Sequence, residues 1–358
     1  MNFALDWYRN LSRNRPSLGV DIGDRSIKGV SLKKDGDLVV LEDIFYLDLS
    51  EMNDMFPENK NVIEKLAAVI EVNELQNKKV ALTGGGRMVS SFDLTLPKMA
   101  ETELQLVVEK NLEETLRKEI SSVCFDYKII PGSDPEMVHV RIYHSLRKDV
   151  DHILDIAEAA HLKPVTLSTS ILSAAQMLRF NRYTDEKKGS ILIDLGEAST
   201  SISLLMGHEV VASNSTKKGF GEINRQLMQQ LDCSYFDAEE VKPYVNHLAD
   251  IGNPEVEEIV DSVYMNLLEP LQETIDFYRS QDMGLPVSEI FFVGGGTSIG
   301  DIAQIFEDHY YIPATVVNPF RKIETVKEGE SPDRAIQIEM MAPFMGSAVG
   351  LALEGIDW

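Results

Sequence analysis

The sequence contains the same acidic, glycine-containing turn twice, in two segments that lie half a chain apart. The first segment reads VDIGDRSIKGVSL from residue 20, and the second reads IDLGEASTSISLL from residue 193. They share an Asp, a Gly two residues later and a Ser three residues further on: Asp21, Gly23 and Ser26, and Asp194, Gly196 and Ser199. In a chain of 358 residues, a repeat at an offset of 173 predicts two domains of one plan and argues against a short-period solenoid.

Each copy has the pattern of a buried strand that runs into a tight turn and then into a hairpin. SLGVDIG precedes a hairpin that turns at Asp35-Gly36, and SILIDLG precedes a second hairpin in the other half. From about residue 90 to 163, the order strand, helix, strand, strand, helix predicts a small unit inserted into the first domain. The whole pattern predicts an α/β fold.

We expect the chain to divide into a short N-terminal segment, two domains and a returning helix. The polar stretch NRYTDEKKG marks the junction between the domains. The predicted limits are 1–17 for an amphipathic segment, 18–188 for domain I with its inserted subdomain at about 90–163, 189–340 for domain II with a smaller subdomain at about 221–285, and 341–358 for a C-terminal helix that returns to domain I.

The charge balance and the cysteine count exclude several classes of protein. Lys and Arg total 34 and Asp and Glu total 58, so the net charge is −24 and nucleic-acid phosphates would be repelled. Cys124 and Cys233 are far apart and form no disulfide or zinc pattern, which is typical of a reducing cytoplasm. No apolar run approaches the ~20 residues that span a bilayer. We therefore expect a cytoplasmic protein.

The first fifteen residues have the spacing of an amphipathic helix. One stripe of this helix is apolar, and arginines lie on or beyond the other face: Phe3, Ala4, Trp7, Tyr8 and Leu11 against Arg9, Arg13 and Arg15. Such a helix could lie in a membrane surface, or its stripe could pack on the protein body or on a partner. Pro16 ends the segment.

Three glycine turns follow predicted buried strands, and their chemistry suits phosphate binding. A turn without bulky side chains exposes backbone N–H groups that can hold phosphate oxygens. Asp21 and Asp194 suit such a site if Mg²⁺ and its waters stand between carboxylate and phosphate. Lys28 could supply a positive charge to the same oxygens. The third turn, Gly294-Gly295-Gly296, would let the backbone pass close to a base or ribose.

Each turn alone is a weak signal, because such turns are commonly only tight connections. A further triple, Gly84-Gly85-Gly86, follows a strand but lacks the partner pattern, and we interpret it as a structural loop. The order of the three turns, with the first repeated in a second domain, makes the pattern specific.

With these motifs the sequence resembles the actin/Hsp70/sugar-kinase ATPase superfamily, and within it the FtsA/PilM branch. In that superfamily DIG…S…K forms the first phosphate loop, DLG…ST the second, and VGGGTS the adenosine loop. The stretches LPKMAETEL, EKNLEETLRKEISSVCFDYKI and LRKDVDHILDIAEAAHLKPVTL resemble the branch's inserted subdomain, and the resemblance covers nearly all of residues 18–355. It implies an actin-like (ribonuclease H-like) two-domain ATPase fold with an FtsA/PilM-type inserted subdomain.

The resemblance also implies ATP and Mg²⁺ as ligands, and it places their contacts on matching positions. Asp21 and Asp194 would hold Mg²⁺ through water. The implied nucleotide contacts are Gly23, Asp24, Ser26 and Lys28 in the first phosphate loop, Gly196, Ser199 and Thr200 in the second, Glu222 beside the ribose, and Gly294, Gly295, Gly296 and Thr297 at the adenosine. Whether ATP is hydrolysed stays open, because no water-positioning residue is identified.

Three residues depart from the superfamily pattern. Phe220 stands where relatives carry a glycine before the ribose-contacting helix, and Asn224 replaces a Thr in the same motif. Glu197 adds a negative charge to the second phosphate loop, and from turn chemistry we expect its side chain to point outward.

As a function, the resemblance implies a nucleotide-loaded scaffold of type IV pilus assembly at the cytoplasmic face of the inner membrane. ATP would close the two domains and shape a groove near the inserted subdomain for the N-terminal tail of a PilN-like membrane protein. Membrane association would come through that partner or through the N-terminal helix, and other pilus assembly components are further partners. Two alternatives remain, an FtsA-like filament protein and a small-molecule kinase, which would need a carboxylate base near its acceptor hydroxyl.

Overall fold

The computed structural model describes residues 17–49, 60–84, 88–130, 134–241, 270, 272–276, 286–298, 301–325, 332–356 and 358. The predicted N-terminal amphipathic helix, residues 85–86 of the glycine triple and most of the predicted smaller subdomain after residue 241 lie outside the described residues. The predicted domain limits stay predictions.

Thirteen described strands form three sheets. They are β1 (Leu18–Ile22), β2 (Ser26–Asp35), β3 (Leu38–Asp48), β4 (Lys79–Gly84), β5 (Ser90–Pro97), β6 (Val123–Ile130), β7 (Met137–Leu146), β8 (Lys163–Leu167), β9 (Gly189–Leu195), β10 (Thr200–Met206), β11 (Glu209–Thr216), β12 (Val287–Val293) and β13 (Ala314–Val316). The sheet orders are β3-β2-β1-β4-β8, β11-β10-β9-β12-β13 and β5-β7-β6.

The two large sheets share one topology. In each, the strand before the DxG turn, β1 or β9, pairs antiparallel with the next strand and parallel with its other neighbour. The repeated sequence motif therefore marks a repeated sheet, which confirms the predicted actin-like α/β fold built from two domains of one plan.

The described α-helices pack around these sheets. They are α1 (Lys60–Val72), α2 (Glu101–Leu116), α3 (Arg147–Ala159), α4 (Ser170–Phe180), α5 (Gly221–Leu231), α6 (Tyr235–Val241), α7 (Ile302–Tyr310), α8 (Pro332–Met341) and α9 (Gly346–Leu353). Short 3₁₀ turns occupy Ile120–Ser122, Gly295–Ser298 and Ala342–Phe344.

Helices cover both faces of β1, and every residue of this strand is buried. Leu18, Val20 and Ile22 join the core that contains α1 and α3. Gly19 faces the other way, onto α9, where a Cβ atom would lie only 2.3 Å from the carbonyl oxygen of Ala348. The strand that leads to the first DxG turn is thus fixed from both sides.

Helices α4 and α9 cross between the two large sheets. One hydrophobic core contains residues of β2, of β9 and β12, and of both helices, so the sheets share it. The crossing is close, because a Cβ atom on Gly350 would lie 1.8 Å from the carbonyl oxygen of Ser173. Thr169 caps the start of α4 by accepting a hydrogen bond from the Leu172 N–H.

The third sheet and α2 lie within the limits of the predicted inserted subdomain and have a small core of their own. Leu104, Val108 and Leu112 of α2 pack on Val140 and Ile142 of β7. The alternation along β7 leaves the opposite face of this sheet polar.

Within the part of the chain that the structure describes, no single helix is both long and apolar enough to cross a membrane. By length and composition alone, the helix pair Asp333–Phe344 and Gly346–Leu353 could do so together, with a bend of 93° between the two.

Candidate functional site

A cleft opens between the two large sheets, at the ends of the strands that carry the glycine turns. Most of the residues predicted to bind a nucleotide line it: Asp21, Gly23, Asp24, Ser26, Lys28, Asp194, Gly196, Ser199, Gly294, Gly295 and Gly296. The fold therefore brings all three predicted glycine turns to one place.

The two DxG turns have the same backbone geometry. The Gly23 N–H donates to the Ser26 carbonyl at 3.0 Å, and the Gly196 N–H donates to the Ser199 carbonyl at 3.0 Å. A Cβ atom on Gly23 would lie 3.1 Å from the Ser26 carbonyl oxygen, and one on Gly196 would lie 2.9 Å from that of Ser199. Both turns are thus tight loops in which glycine allows a close backbone approach.

The side chains on the two turns are not equivalent, because only one copy carries a cation. Asp21 lies directly opposite Lys28 in the β1–β2 pair, and Asp194 lies opposite Ser201 in the β9–β10 pair. The Lys28 ammonium is 3.2 Å from the Asp21 carboxylate. Domain I therefore supplies a charged pair to the cleft, whereas the matching position in domain II supplies a hydroxyl.

Burial and charge perturb both titratable groups at the centre of the cleft. Burial, and then the nearby Asp21 carboxylate, raises the pKa of Asp194 to about 6, although Lys28 and a hydrogen bond from Ser170 act in the opposite direction. Burial alone would lower the pKa of Lys28. The pKa is nevertheless raised, because nearby groups that include the carboxylates of Asp21 and Asp194 favour the charged ammonium. The cleft thus holds a protonated lysine that is paired with Asp21, and Asp194 lines the same cleft.

The third turn passes directly beside the second. Gly294 has a φ of +94°, and a Cβ atom there would lie 2.6 Å from the Asp194 carboxylate. A Cβ atom on Gly296 would lie 2.5 Å from the Phe220 ring, and one on Gly295 would lie 3.5 Å from Phe344. A side chain at Gly294 would clash with the Asp194 carboxylate and one at Gly296 with the Phe220 ring, whereas a Cβ atom at Gly295 would make an ordinary contact.

Three predicted contacts do not line the cleft. The Thr200 hydroxyl is buried and donates to the Lys218 carbonyl at 2.9 Å, so it supports the second turn from behind. Thr297 donates to the Gly294 carbonyl at 2.7 Å. Glu222 lies 2.6 Å from the Arg225 guanidinium on α5. These residues stay predictions as ligand contacts, and their visible roles are in the supporting structure.

Several lining residues were not predicted: Arg25, Tyr46, Asp48, Ser170, Ser201, Phe344, Gly346 and Ser347. Arg25 and Ser201 lie within the repeated motif, and their places in it could have indicated them. Tyr46 and Phe344 meet with their ring centroids 5.5 Å apart although they are distant in sequence. No local pattern indicates a contact of that kind.

The expectation that Glu197 points outward is wrong. Glu197 lines the cleft, and its carboxylate lies close to Gly221, where a Cβ atom would be 2.4 Å from Oε1. Gly221 is the first residue of α5, and the N-terminus of a helix attracts negative charge. The N-terminus of α5 therefore favours a position of the Glu197 carboxylate along the cleft wall.

The charges of the lining residues decide which anions can enter. Asp21, Asp24, Asp48, Asp194 and Glu197 line the cleft together with two cationic side chains, Lys28 and Arg25. A bare polyphosphate would be repelled by this excess of carboxylates. No group of three or more His, Cys, Asp or Glu side chains among the described residues could hold a metal. The carboxylates of Asp21 and Asp194 are oxygen donors of the kind that Mg²⁺ takes together with water and phosphate.

Comparisons with known proteins agree with this architecture. A family model described as type IV pilus assembly protein PilM matches residues 19–356. Among solved structures, the chain is similar to a PilM–PilN type IV pilus biogenesis complex, with a TM-score of 0.81 and 20% identity over 96% of this chain and 100% of that chain. It is also similar to the ethanolamine utilization protein EutJ from Carboxydothermus hydrogenoformans, with a TM-score of 0.53 and 15% identity over 98% of each chain.

At these identities the structural matches bear on the fold alone, and a search of curated proteins found no match. The family model, in contrast, spans nearly the whole chain and both glycine-turn domains. This chain belongs to the PilM family of type IV pilus assembly proteins.

Proposed function

We propose that this protein binds ATP with Mg²⁺ in the cleft between its two large sheets and uses the nucleotide as a conformational ligand. The observation that carries the proposal is that two DxG turns with the same Gly N–H to Ser carbonyl hydrogen bond border one cleft, which Asp21, Lys28 and Asp194 also line. The buried Lys28 ammonium suits phosphate oxygens, and the glycines of the turns would let them approach the backbone closely.

Mg²⁺ fits the pair of carboxylates at the centre. Burial, and then the nearby Asp21 carboxylate, raises the pKa of Asp194, and a divalent cation would relieve the repulsion between the two carboxylates. Asp21 and Asp194 would hold the ion through water, and the ion would supply the positive charge that screens the phosphates. The glycines of the third turn would then leave room for the adenosine.

The role we propose is that of a scaffold rather than of a fast enzyme. Membership of the PilM family supports a place in type IV pilus assembly, and a similar solved structure is a PilM–PilN complex. We infer that this protein lies at the cytoplasmic face of the inner membrane and captures the N-terminal cytoplasmic tail of a PilN-like membrane protein. ATP would select the closed arrangement of the two domains, and turnover would be slow or absent.

Calorimetry with Mg·ATP tests nucleotide binding. We expect the wild-type protein to bind, and Asp21→Ala and Asp194→Ala to lose most of the affinity because they remove the two carboxylates that face the metal. Asp308→Ala is a suitable control, since Asp308 is an exposed residue of α7 whose carboxylate accepts a hydrogen bond from Gln304. A wild-type protein without measurable affinity for Mg·ATP would refute the proposal.

Partner capture is tested separately, with a synthetic peptide of the PilN-like protein's cytoplasmic tail. Fluorescence anisotropy of this peptide should show tighter binding with Mg·ATP than without it. Equal affinity for the peptide with and without Mg·ATP would show that the protein does not use the nucleotide as a conformational ligand for partner capture.

A further inference from the structure

The polar face of the inserted subdomain lies across one strand of domain II. Along β11, Glu209 forms an ion pair with Lys128 of β6, and the carbonyls of Val210 and Val211 accept hydrogen bonds from Arg141 of β7. Residues 212–214 then share a cavity with residues 91–93 of β5. Successive parts of β11 therefore meet β6, β7 and β5, in the order that these strands have in their sheet.

Arg141 is at the centre of this contact. Its side chain is 2% exposed, and it lies in one cross-strand row with Lys128 and Asp93. Nε and Nη2 donate to the two carboxylate oxygens of Asp93, each at 2.7 Å, so the ion pair is bidentate. Nη1 and Nη2 also donate to the carbonyls of Val210 at 3.3 Å and Val211 at 2.5 Å. One buried guanidinium thus joins the inserted subdomain to domain II.

The carbonyls that Arg141 contacts belong to an irregularity in β11. Val210 pairs with Leu205 of β10 and Ala212 pairs with Leu204, so Val211 is an extra residue with no partner across the ladder. Such a bulge turns a carbonyl out of the regular hydrogen-bonding pattern and makes it available to another group. The bulge is the place where β11 can accept a hydrogen bond from the inserted subdomain.

The other end of β11 leads directly to the second DxG turn. The Lys218 carbonyl, two residues beyond the strand, accepts from Thr200, and the Phe220 N–H donates to the Gly196 carbonyl at 2.9 Å. The Gly221 N–H donates to the Glu197 carbonyl at 2.9 Å. A Cβ atom on Gly219 would lie 2.3 Å from that same carbonyl oxygen. The segment after β11 is therefore packed so closely on the turn that neither can move alone.

We propose that Arg141, through the β11 bulge, couples the position of the inserted subdomain to the occupancy of the cleft. This inference rests on the proposed binding of Mg·ATP and names the element that transmits it. A ligand that binds to the second DxG turn displaces residues 217–221. β11 moves together with this segment, and Arg141 transmits the displacement to β7. Arg141 is a positioning residue here, because it touches no ligand in the cleft.

Arg147 provides a matched control within the same chain. Its guanidinium also donates to two backbone carbonyls, of Ser121 at 2.7 Å and Val123 at 3.5 Å, but both of these belong to the inserted subdomain. Arg147→Met therefore removes two guanidinium–carbonyl hydrogen bonds, as Arg141→Met does, without touching β11. Arg141→Met and Arg141→Lys both break the bidentate pair, and the lysine variant keeps the buried charge in case the methionine variant does not fold.

The test is hydrogen exchange measured by mass spectrometry on the full chain, with and without saturating Mg·ATP, beside calorimetry on the same samples. In the wild type and in Arg147→Met, we expect Mg·ATP to slow exchange about fivefold or more both in residues 197–221 and in β7. In the Arg141 variants, Mg·ATP should still bind and still protect residues 197–221, whereas the protection of β7 should be lost.

The outcomes separate the two proposals. If the wild type binds Mg·ATP but β7 exchanges at the same rate with and without it, the coupling is refuted and nucleotide binding stands. The coupling is also refuted if the Arg141 variants protect β7 as well as the wild type does. If calorimetry shows no binding to the wild type, the proposed function fails and the coupling fails with it.

Discussion

Lys28 and Asp21 face each other across the β1–β2 strand pair, with the ammonium 3.2 Å from the carboxylate. The cleft thus contains its own counter-charge, which holds Lys28 in place before any anion arrives. A phosphate bound there would compete with Asp21 for the Lys28 ammonium, and Asp21 would be free of that competition if it held a metal through water. The position matched to Lys28 in domain II is Ser201, so the cleft depends on one lysine.

Replacing this lysine should therefore weaken nucleotide binding strongly. We expect Lys28→Met to lower the affinity for Mg·ATP about 10- to 100-fold, because a charge-assisted hydrogen bond contributes about 1.5–3 kcal/mol. Calorimetry at pH 7.5 measures the change. Lys33→Met is the control, since Lys33 belongs to the same strand but lies 3.7 Å from Glu42, away from the cleft. An unchanged affinity in Lys28→Met would show that the ammonium does not contact the nucleotide.

The raised pKa of Asp194 predicts an unusual pH dependence of stability. Because the folded-state pKa of about 6 lies above the ordinary value of 3.8, the folded protein binds this proton more tightly than the unfolded chain does. This contribution makes the free energy of unfolding fall as the pH rises from about 4 to about 6 and leaves it constant above. Asp194→Asn should raise the stability of the nucleotide-free protein at pH 7.5 by about 1–3 kcal/mol.

Urea denaturation at pH 5 and pH 7.5 checks this prediction, with the difference between the two midpoints as the readout. Asp194→Asn should reduce this difference. Retention of the full wild-type difference would show that Asp194 does not titrate in this range.

A second buried carboxyl group, that of Glu354, should also make the free energy of unfolding fall as the pH rises, up to a higher pH than Asp194 does. Burial raises the pKa of Glu354 to about 7, although a hydrogen bond from Ser168 lowers it. This group should make stability fall between about pH 4.5 and pH 7. Glu354→Gln should remove that part of the slope and leave Mg·ATP affinity unchanged, because Glu354 does not line the cleft. A change in affinity would show that the two sites are linked.

The inward position of Glu197 predicts that its charge opposes nucleotide binding. We expect Glu197→Gln to increase the affinity for Mg·ATP about 3- to 10-fold, because one carboxylate less faces the phosphates. The same change should cost about 0.3–1 kcal/mol of stability, since the charge lies at the N-terminus of α5. Weaker binding in calorimetry would instead mean that Glu197 is a ligand of the metal or its water.

The crossing of α4 and α9 predicts a position that tolerates no side chain. Gly350→Ala should lower the free energy of unfolding by about 1–3 kcal/mol, because the new methyl group would overlap the Ser173 carbonyl. Gly346→Ala in the same helix is the control, since its Cβ would lie 3.4 Å from Val293, an ordinary contact. Thermal unfolding of the nucleotide-free proteins compares them. Equal melting temperatures would mean that the helices can move apart at little cost.

The repeated motif made the duplicated fold predictable, because a DxG turn at the end of a buried strand depends on local sequence. Lys28 could be placed beside Asp21 for the same reason, since a short hairpin brings residues seven apart into register. Thr200 shows the limit of this reasoning. The motif predicts a ligand contact, whereas the hydroxyl donates to Lys218 behind the turn.

The contacts that could not be predicted join segments that are distant in sequence. Tyr46 of β3 meets Phe344 of a 3₁₀ turn, and Arg141 of β7 meets Val211 of β11, because elements that form separately come together in space. Glu197 was misplaced because the start of α5, which attracts it, lies more than twenty residues away in the chain. Tertiary packing, rather than local propensity, decides such positions.

The packing of α9 on β1 also has a consequence for how the chain acquires its structure during synthesis. Gly19 contacts Ala348, and these residues are 329 positions apart in sequence. Until the ribosome has released α9, β1 lacks the cover of one face, and the residues of the second sheet that share the core with α9 lack theirs as well. Contacts of such long range slow folding and leave apolar surface exposed for longer. We infer that the nascent chain depends most on chaperones before α9 has been synthesised, because this helix closes the core that the two sheets share.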